Sequence, residues 1–295
     1  MAYSHRMNNY LIVTADDFGL HESVNEAVER ASRAGTLNAA SLMVAAPAAE
    51  DAVRRARLLP NLRVGLHVVL ADGWSTLEGH VIPQIADLSG RMSGDMLRKS
   101  LRFFVNSAAR AQLDAEIRAQ FAAFTRTGLR LDHVNVHKHF HVHPTVLNIL
   151  LQVARDFGTP AVRIPDEPFW FAARSAGLTA GTTQGLLAPW IALMKHRLRS
   201  AGVFHNDRIF GMAGSGHMSE AALLAILARL PGGISEIYLH PATESGSAIA
   251  PSMGSYRHAV ELAALLSPRV RAALSSIAFR GGYLDALRAV GGSPA

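Results

Sequence analysis

Two adjacent carboxylates, Asp16 and Asp17, close the apolar run Leu11-Ile12-Val13-Thr14-Ala15 and precede Phe18-Gly19. Neighbouring residues at a strand end point in different directions. One carboxylate can therefore ligate a cation while the other handles a proton. An Asp-Asp pair by itself is commonly a turn or a helix cap; its company raises it above that. His67 lies in the strand-like run 64–70, and His133, His137, His139, His141 and His143 crowd the segment from Asp132 to Pro144. Alternate residues of a strand face opposite sides, so only part of this tract can reach one ion. The His-x-His pairs suit a metal rim, a set of substrate-binding groups or a metal-scavenging surface.

Composition narrows the chemistry. The chain has 295 residues, 49% hydrophobic and 18% charged, enough for one large core, and large α/β barrels fill this length as a single domain. There is no cysteine. Any metal must be held by His and carboxylate, which points to a catalytic or hard-cation site rather than a structural zinc knot. The net charge is +6, without a basic stripe interleaved with aromatics, which argues against nucleic acid as a partner. A mildly basic surface still favours anionic membrane surfaces. The polar stretch 1–9 carries no apolar signal region, and 178–194, the longest charge-free stretch, is interrupted by Gly181, Gly185 and Pro189. These features predict a cytoplasmic protein with membrane contact at one edge.

Short apolar runs alternate with helical patterns. Strands are expected at 10–16, 37–45, 62–70, 131–137, 161–165, 208–212, 234–240 and 275–279. Helices are expected at 24–34, 48–59, 94–127 as two pieces, 145–157, 219–230, 256–274 with a break at Pro268, and 283–290. Near-continuously apolar strands between helices indicate a parallel sheet covered by helices. The number of repeats favours an α/β fold of the distorted (β/α) barrel type, TIM-barrel-like, over a doubly wound sheet. The first strand–helix turn, 15–20, also lacks a glycine-rich phosphate cradle. Asp16, Asp17, His67, His137 and His240 all fall at or just past the C-terminal ends of expected strands, the face where such barrels build active sites.

At this point the motifs carry a resemblance. Thr14-Ala15-Asp16-Asp17-Phe18-Gly19, Gly65-Leu66-His67, the tract from Asp132 to Pro144, Tyr238-Leu239-His240-Pro241 and the tail from Glu261 to Val270 resemble, in order, the motifs of the YdjC-like (ChbG-type) carbohydrate deacetylases. Spacing and a central insertion look most like the hopanoid-biosynthesis-associated HpnK branch. The resemblance implies a barrel of glycoside hydrolase/deacetylase type and an N-deacetylase of amino sugars with one divalent ion, Zn²⁺ or Mg²⁺. It implies Asp17, His67 and His137 as metal ligands, Asp16 as general base, His240 as general acid or oxyanion partner, and a homodimer. The chain departs from the family pattern at Asn135, Val136, Lys138 and Ala242. None of these is an implied ligand, but Asn135 and Lys138 bear on the groups around the ligands.

The segment 166–204 reads as a helical, apolar insertion on a single domain spanning 1–295. Phe169-Trp170-Phe171 and Trp190 stand near Lys195, Arg197 and Arg199, a combination that suits either packing on the barrel or a lipid-contacting cap. Arg163, just before it, resembles a family active-site arginine, with Asp166 and Glu167 as its nearest partners in sequence. Arg163, His139, His141, Trp170 and Trp190 are thus the expected substrate-binding residues. The expected substrate is N-acetylglucosamine on a hopanoid glycolipid. Soluble chitooligosaccharides such as diacetylchitobiose, hydrolysis of another bond, or a non-catalytic lipid-binding role are the alternatives.

Overall fold

The computed structural model describes residues 9–244, 246 and 249–291. The expected polar N-terminal stretch therefore lies almost wholly outside the described residues. In chain order the first half contains β1 (Tyr10–Phe18), α1 (Glu22–Arg33), β2 (Ala39–Leu42), α2 (Ala49–Arg57), β3 (Arg63–Val68), a small antiparallel pair β4 (Gly73–Trp74) and β5 (Arg91–Met92), α3 (Met96–Val105), α4 (Ser107–Arg126) and β6 (Leu131–Val136). Then follow a short 3-10 segment (His137–Val142), α5 (Pro144–Asp156), α6 (Phe169–Ala176), α7 (Leu178–Ser200), β7 (Arg208–Phe210), α8 (Glu220–Leu227), β8 (Ile234–Leu239), a 3-10 turn (Pro251–Met253), α9 (His258–Leu266), α10 (Pro268–Ser275), β9 (Phe279–Arg280) and α11 (Tyr283–Ala289).

The main sheet is wholly parallel, in the order β6-β3-β2-β1-β8-β7. β9 pairs with Tyr10 and Leu11, ahead of the point where β2 joins β1 at Thr14. Every residue of β1 and β8 is buried, as expected of strands covered on both faces. Helices pack against the sheet, α1 on β1 and α4 on β3. The larger apolar cluster runs from Leu11 to Leu274, and a smaller one gathers Tyr10, Ile12, Ala39, Ala161, Ile234, Tyr283 and Ala286. Local chemistry sets the helix ends. Asn106 accepts from Ala109 N–H to start α4, and Ser267 caps α10 with Pro268 in its first turn. Gly35 ends α1 with φ 75°, a left-handed turn that costs glycine least.

The sheet curls, and its two edges meet through single bridges. Val134 of β6 pairs with Val162, and Ala161 with Phe204. Ile209 N–H of β7 then donates to the Asp166 carbonyl at 3.0 Å. A full strand was expected at 161–165; the structure holds only these bridges there. Pro160 and Pro165 flank the segment and withhold two ladder donors. The strand expected at 275–279 is likewise displaced. The capped helix α10 runs to Ser275, leaving only Phe279–Arg280 to pair. The β4–β5 pair was not foreseen in the sequence.

Candidate metal centre and active site

Asp16 and Asp17 stand where β1 leaves its regular ladder. The β1–β2 register shifts between Ala15 and Phe18, and Asp17 adopts φ 62°, a left-handed conformation that Asp tolerates better than most residues. The break turns the two carboxylates to different partners, and both are buried.

Asp17 faces His67 and His137. Its Oδ1 lies 3.2 Å from His67 Nε2 and 3.2 Å from His137 Nδ1, and the two ring nitrogens are 3.2 Å apart. Bonds of about 2.0–2.1 Å to one tetrahedral ion place its ligand atoms about 3.3 Å apart. The triangle therefore has the size of a single-ion site. Neither Asp17 oxygen is hydrogen-bonded, a costly state for a buried carboxylate unless a cation shares it. Burial pushes its pKa up, but His137 and His67 outweigh that and hold it well below the usual carboxylate range.

Around the triangle, second contacts fix the ligands. His67 Nδ1 lies 2.6 Å from Asn135 Oδ1. An amide oxygen only accepts, so Nδ1 carries the proton and Nε2 offers its lone pair to the triangle. The amide orientation is set by its other end: Asn135 Nδ2 donates to Asp16 Oδ1 at 3.1 Å and to Ser41 Oγ at 2.8 Å. The residues present thus fit one divalent ion held by Asp17, His67 and His137.

Asp16 is held by Arg163, which reaches Oδ2 through Nη1 at 2.5 Å and Oδ1 through Nη2 at 2.9 Å. Burial opposes its charge, but Arg163 prevails and holds Asp16 well below the usual carboxylate range. Arg163 also donates to both oxygens of Glu236, at 2.9 and 2.7 Å. Glu236 in turn accepts from Thr14 Oγ1 at 2.6 Å and Tyr283 OH at 2.5 Å. Arg163 is fully buried, so the structure places its guanidinium between two carboxylates, with Asp166 paired instead to Lys195 and Arg208.

His240 follows β8, with Nε2 3.9 Å from Asp17 Oδ2 and Nδ1 free of hydrogen bonds. Burial lowers its pKa against the pull of Asp17 and Asp16. Its backbone N–H donates to Glu261 Oε2 at 2.5 Å, and His258 Nδ1 donates to its carbonyl at 2.6 Å. Helix α9 thereby fixes this stretch of main chain.

The histidine tract does not alternate as a strand would. β6 stops at Val136, and the following turn His137–Val142 is kinked by left-handed backbone at Lys138 (φ 55°) and His139 (φ 52°). His139 Nε2 meets Tyr238 OH at 3.1 Å, and burial drives its pKa well down. His141 is fully buried and donates from Nε2 to the Arg163 carbonyl at 2.9 Å; burial lowers it to about 4. Trp190 donates from its indole to the Val142 carbonyl at 2.8 Å, tying α7 to this turn. Trp170 packs on Phe171 and on Phe210 at the end of β7.

Glu236, Tyr283 and Ser41 did not stand out in the sequence. The available signal was Glu236, one carboxylate in the otherwise apolar, hydroxyl-bearing strand Ile234-Ser235-Glu236-Ile237-Tyr238-Leu239. A charge so placed must find a partner.

The YdjC-like protein family matches residues 10–276. The chain belongs to that family. This YdjC-like chain is 37% identical to the carbohydrate deacetylase of Brevibacillus brevis over 155 residues. That match spans 52% of this chain and 59% of the relative, little more than half its length. It is 29% identical to the carbohydrate deacetylase of Geobacillus stearothermophilus over 285 residues, 96% of this chain and 98% of that one. A solved protein of Enterococcus faecalis V583, described in terms of cellobiose-phosphate cleavage, shares the fold. It has a TM-score of 0.72 and 22% identity over 95% of this chain and 99% of that one.

Proposed function

We propose that this protein is a metal-dependent amidohydrolase that removes the N-acetyl group from an N-acetylated amino sugar. The observation that carries the reading is the buried triangle of Asp17 Oδ1, His67 Nε2 and His137 Nδ1 beside an arginine-held Asp16. The relatives named as carbohydrate deacetylases support the bond and the substrate class. Nitrogen ligands favour zinc over magnesium. When bound, such an ion polarises the acetyl carbonyl and makes water more acidic. Asp16, kept ionised by Arg163 and oriented by Asn135, takes the proton as the water oxygen adds to the carbonyl carbon. His240 in its protonated form, which Asp17 and Asp16 favour against burial, gives its proton to the departing nitrogen as the C–N bond breaks, leaving a free amine and acetate. Arg163 acts by positioning Asp16. His139 and His141 line the wall behind it, and His139 is the better placed of the two for substrate.

The decisive experiment combines metal analysis with acetate release. Chelation should abolish activity and added divalent ion should restore it. Asp17→Asn, His67→Ala and His137→Ala should lose metal with the fold intact. Asp16→Asn should keep the ion and lower kcat by roughly 10²-fold or more. Full occupancy in a ligand variant overturns the ligand set; equal metal loss in the two Asp variants overturns the division of roles.

For the substrate we favour N-acetylglucosamine on a hopanoid glycolipid, handled by a cytoplasmic homodimer in peripheral contact with a membrane. Residues 1–295 act on this reading as one domain with a cap at 166–204. Support comes from the exposed Phe169, Trp170, Leu178, Leu186 and Leu193 on α6 and α7, with Arg197 and Arg199 in the last turn of α7. No helix among the described residues is long and apolar enough to cross a membrane. Trp170→Ser should raise KM for the glycolipid and leave that for a short soluble sugar unchanged. An equal effect on both makes the segment structural and favours soluble chitooligosaccharides such as diacetylchitobiose.

A further inference from the structure

A cleft of about 390 Å³ opens between α3 and the β4–β5 pair. Four cations, Arg91, Arg98, Lys99 and Arg102, line it together with Asp72 and Asp87. Among the described residues none of the four cations forms an ion pair. Both acids have other hydrogen-bond partners, although the Arg91 charge also reaches Asp87. Asp72 Oδ2 accepts from Lys138 Nζ at 2.6 Å. Asp87 Oδ1 accepts from Ser89 Oγ at 2.6 Å and from the backbone N–H of Ser89 and Arg91 at 2.9 Å.

Lys99 is the telling residue. It is only 6% exposed, yet its Nζ gives one hydrogen bond, to the Ile85 carbonyl at 2.8 Å. An ammonium has three donors, and a buried charge without an opposite charge is expensive. Burial lowers its pKa to about 8, with Arg102 adding to the effect. Arg91 is laid over Trp74, its guanidinium carbon 4.1 Å from the ring centroid, and Arg102 donates to the Gln84 carbonyl. Arg91, Lys99 and Arg102 are thus held in place by neutral groups, with no ion pair.

We propose that this cleft is an anion-binding site for a phosphate-type oxyanion, with Lys99 at its floor and the guanidinium forks of Arg98 and Arg102 at its walls. Guanidinium forks match such oxygens in pairs. The volume falls in the range of about 300–1,000 Å³ that holds organic ligands, which suits an anion attached to a carrier. The cleft also adjoins the candidate metal centre, because Asp72 lines it and binds Lys138, the residue after His137. A phosphate ester on a sugar and free phosphate present the same oxyanion.

Calorimetric titration of inorganic phosphate into the full chain tests the site without any reference to activity. Wild type should bind saturably, Lys99→Met and Arg98→Gln each at least tenfold more weakly. Phosphate should raise the melting temperature of wild type and not of Lys99→Met. Arg98 is exposed, so its variant keeps the test open should Lys99→Met fail to fold. Absence of saturable binding by wild type, or unchanged affinity in the variants that fold, overturns the proposal.

Kinetics then separate the two sources, and only this part rests on the deacetylase reading. If a phosphorylated N-acetyl amino sugar has a lower KM than the neutral sugar, and Lys99→Met erases the difference, the anion belongs to substrate. If free phosphate changes KM for the neutral sugar in wild type but not in Lys99→Met, the anion is a separate ligand. Phosphate binding with no deacetylation of any sugar leaves the anion site standing and removes the activity.

Discussion

Arg163 sits fully buried between Asp16 and Glu236, and its importance follows from what its removal would strand. Two buried carboxylates would be left without a cation, while Tyr283 and Thr14 could satisfy only part of Glu236. Arg163→Met should therefore destabilise the protein by about 3–5 kcal/mol, the range for breaking one side of a buried ion pair. Urea unfolding at neutral pH reads this directly, and a loss under about 1 kcal/mol would show the pairing to be dispensable. Arg163→Lys retains the charge but cannot span both oxygens of each partner. It should fold, with kcat lowered because Asp16 is no longer fixed. Asn135 completes the same chain, linking Asp16 to His67. Base and ligand are thereby oriented by one amide.

Strand β3 meets β6 with no room to spare at Gly65. A Cβ there would stand 2.5–2.6 Å from ring atoms of His133. That ring cannot step aside. It is fully buried, stacked on Tyr283 with centroids 4.9 Å apart, and hydrogen-bonded to Asp132 at 2.9 Å and Ser41 at 3.0 Å. Gly65→Ala should cost about 1–3 kcal/mol by overpacking. It should also loosen metal, because β3 carries His67 two residues on. Thermal unfolding and metal titration of the variant check both halves. A Tm within a degree or two of wild type would mean that the strands can separate freely here. The glycine of Gly65-Leu66-His67 is thus explained by close approach of two strands rather than by contact with substrate.

Glu261 joins three parts of the molecule. From α9 it accepts the His240 backbone N–H at the end of β8 and the Met218 N–H ahead of α8. Burial pushes its carboxyl up to about 7, against the lowering effect of those two N–H groups. A folded-state pKa above the unfolded one means that the folded chain binds the proton more tightly. Its contribution is therefore complete below about pH 4.5 and is lost as pH rises through about 7. The ceiling on this single-group effect is about 3 kcal/mol. Glu261→Gln should flatten the dependence of unfolding free energy on pH between those limits. Parallel wild-type and variant curves across that window would sink the argument.

Much of the candidate site could be read from local pattern. Asp16, Asp17, His67, His137 and His240 each end an apolar run. Hydrophobic periodicity locates strand ends without knowledge of their partners, and parallel strands bring those ends to one face. The pairings inside the site had no such local trace. Arg163 was expected beside Asp166 or Glu167, its sequence neighbours. Asp16 is 147 positions away and Glu236 is 73 positions away, and only curling of the sheet brings them together. The strand expected at 161–165 became two bridges because Pro160 and Pro165 withhold ladder donors on either side of it. β6 ends at Val136, as the expected strand 131–137 implies, but the kinked turn that spreads the remaining histidines over different partners left no trace in the sequence. Lys99 and its arginines, spaced like an ordinary solvated helix face, became a cleft only when the β4–β5 pair folded over them. Apolar periodicity is a property of neighbouring residues and survives in the sequence. The partner of a buried charge is set by register between distant segments, so it exists only in the folded chain.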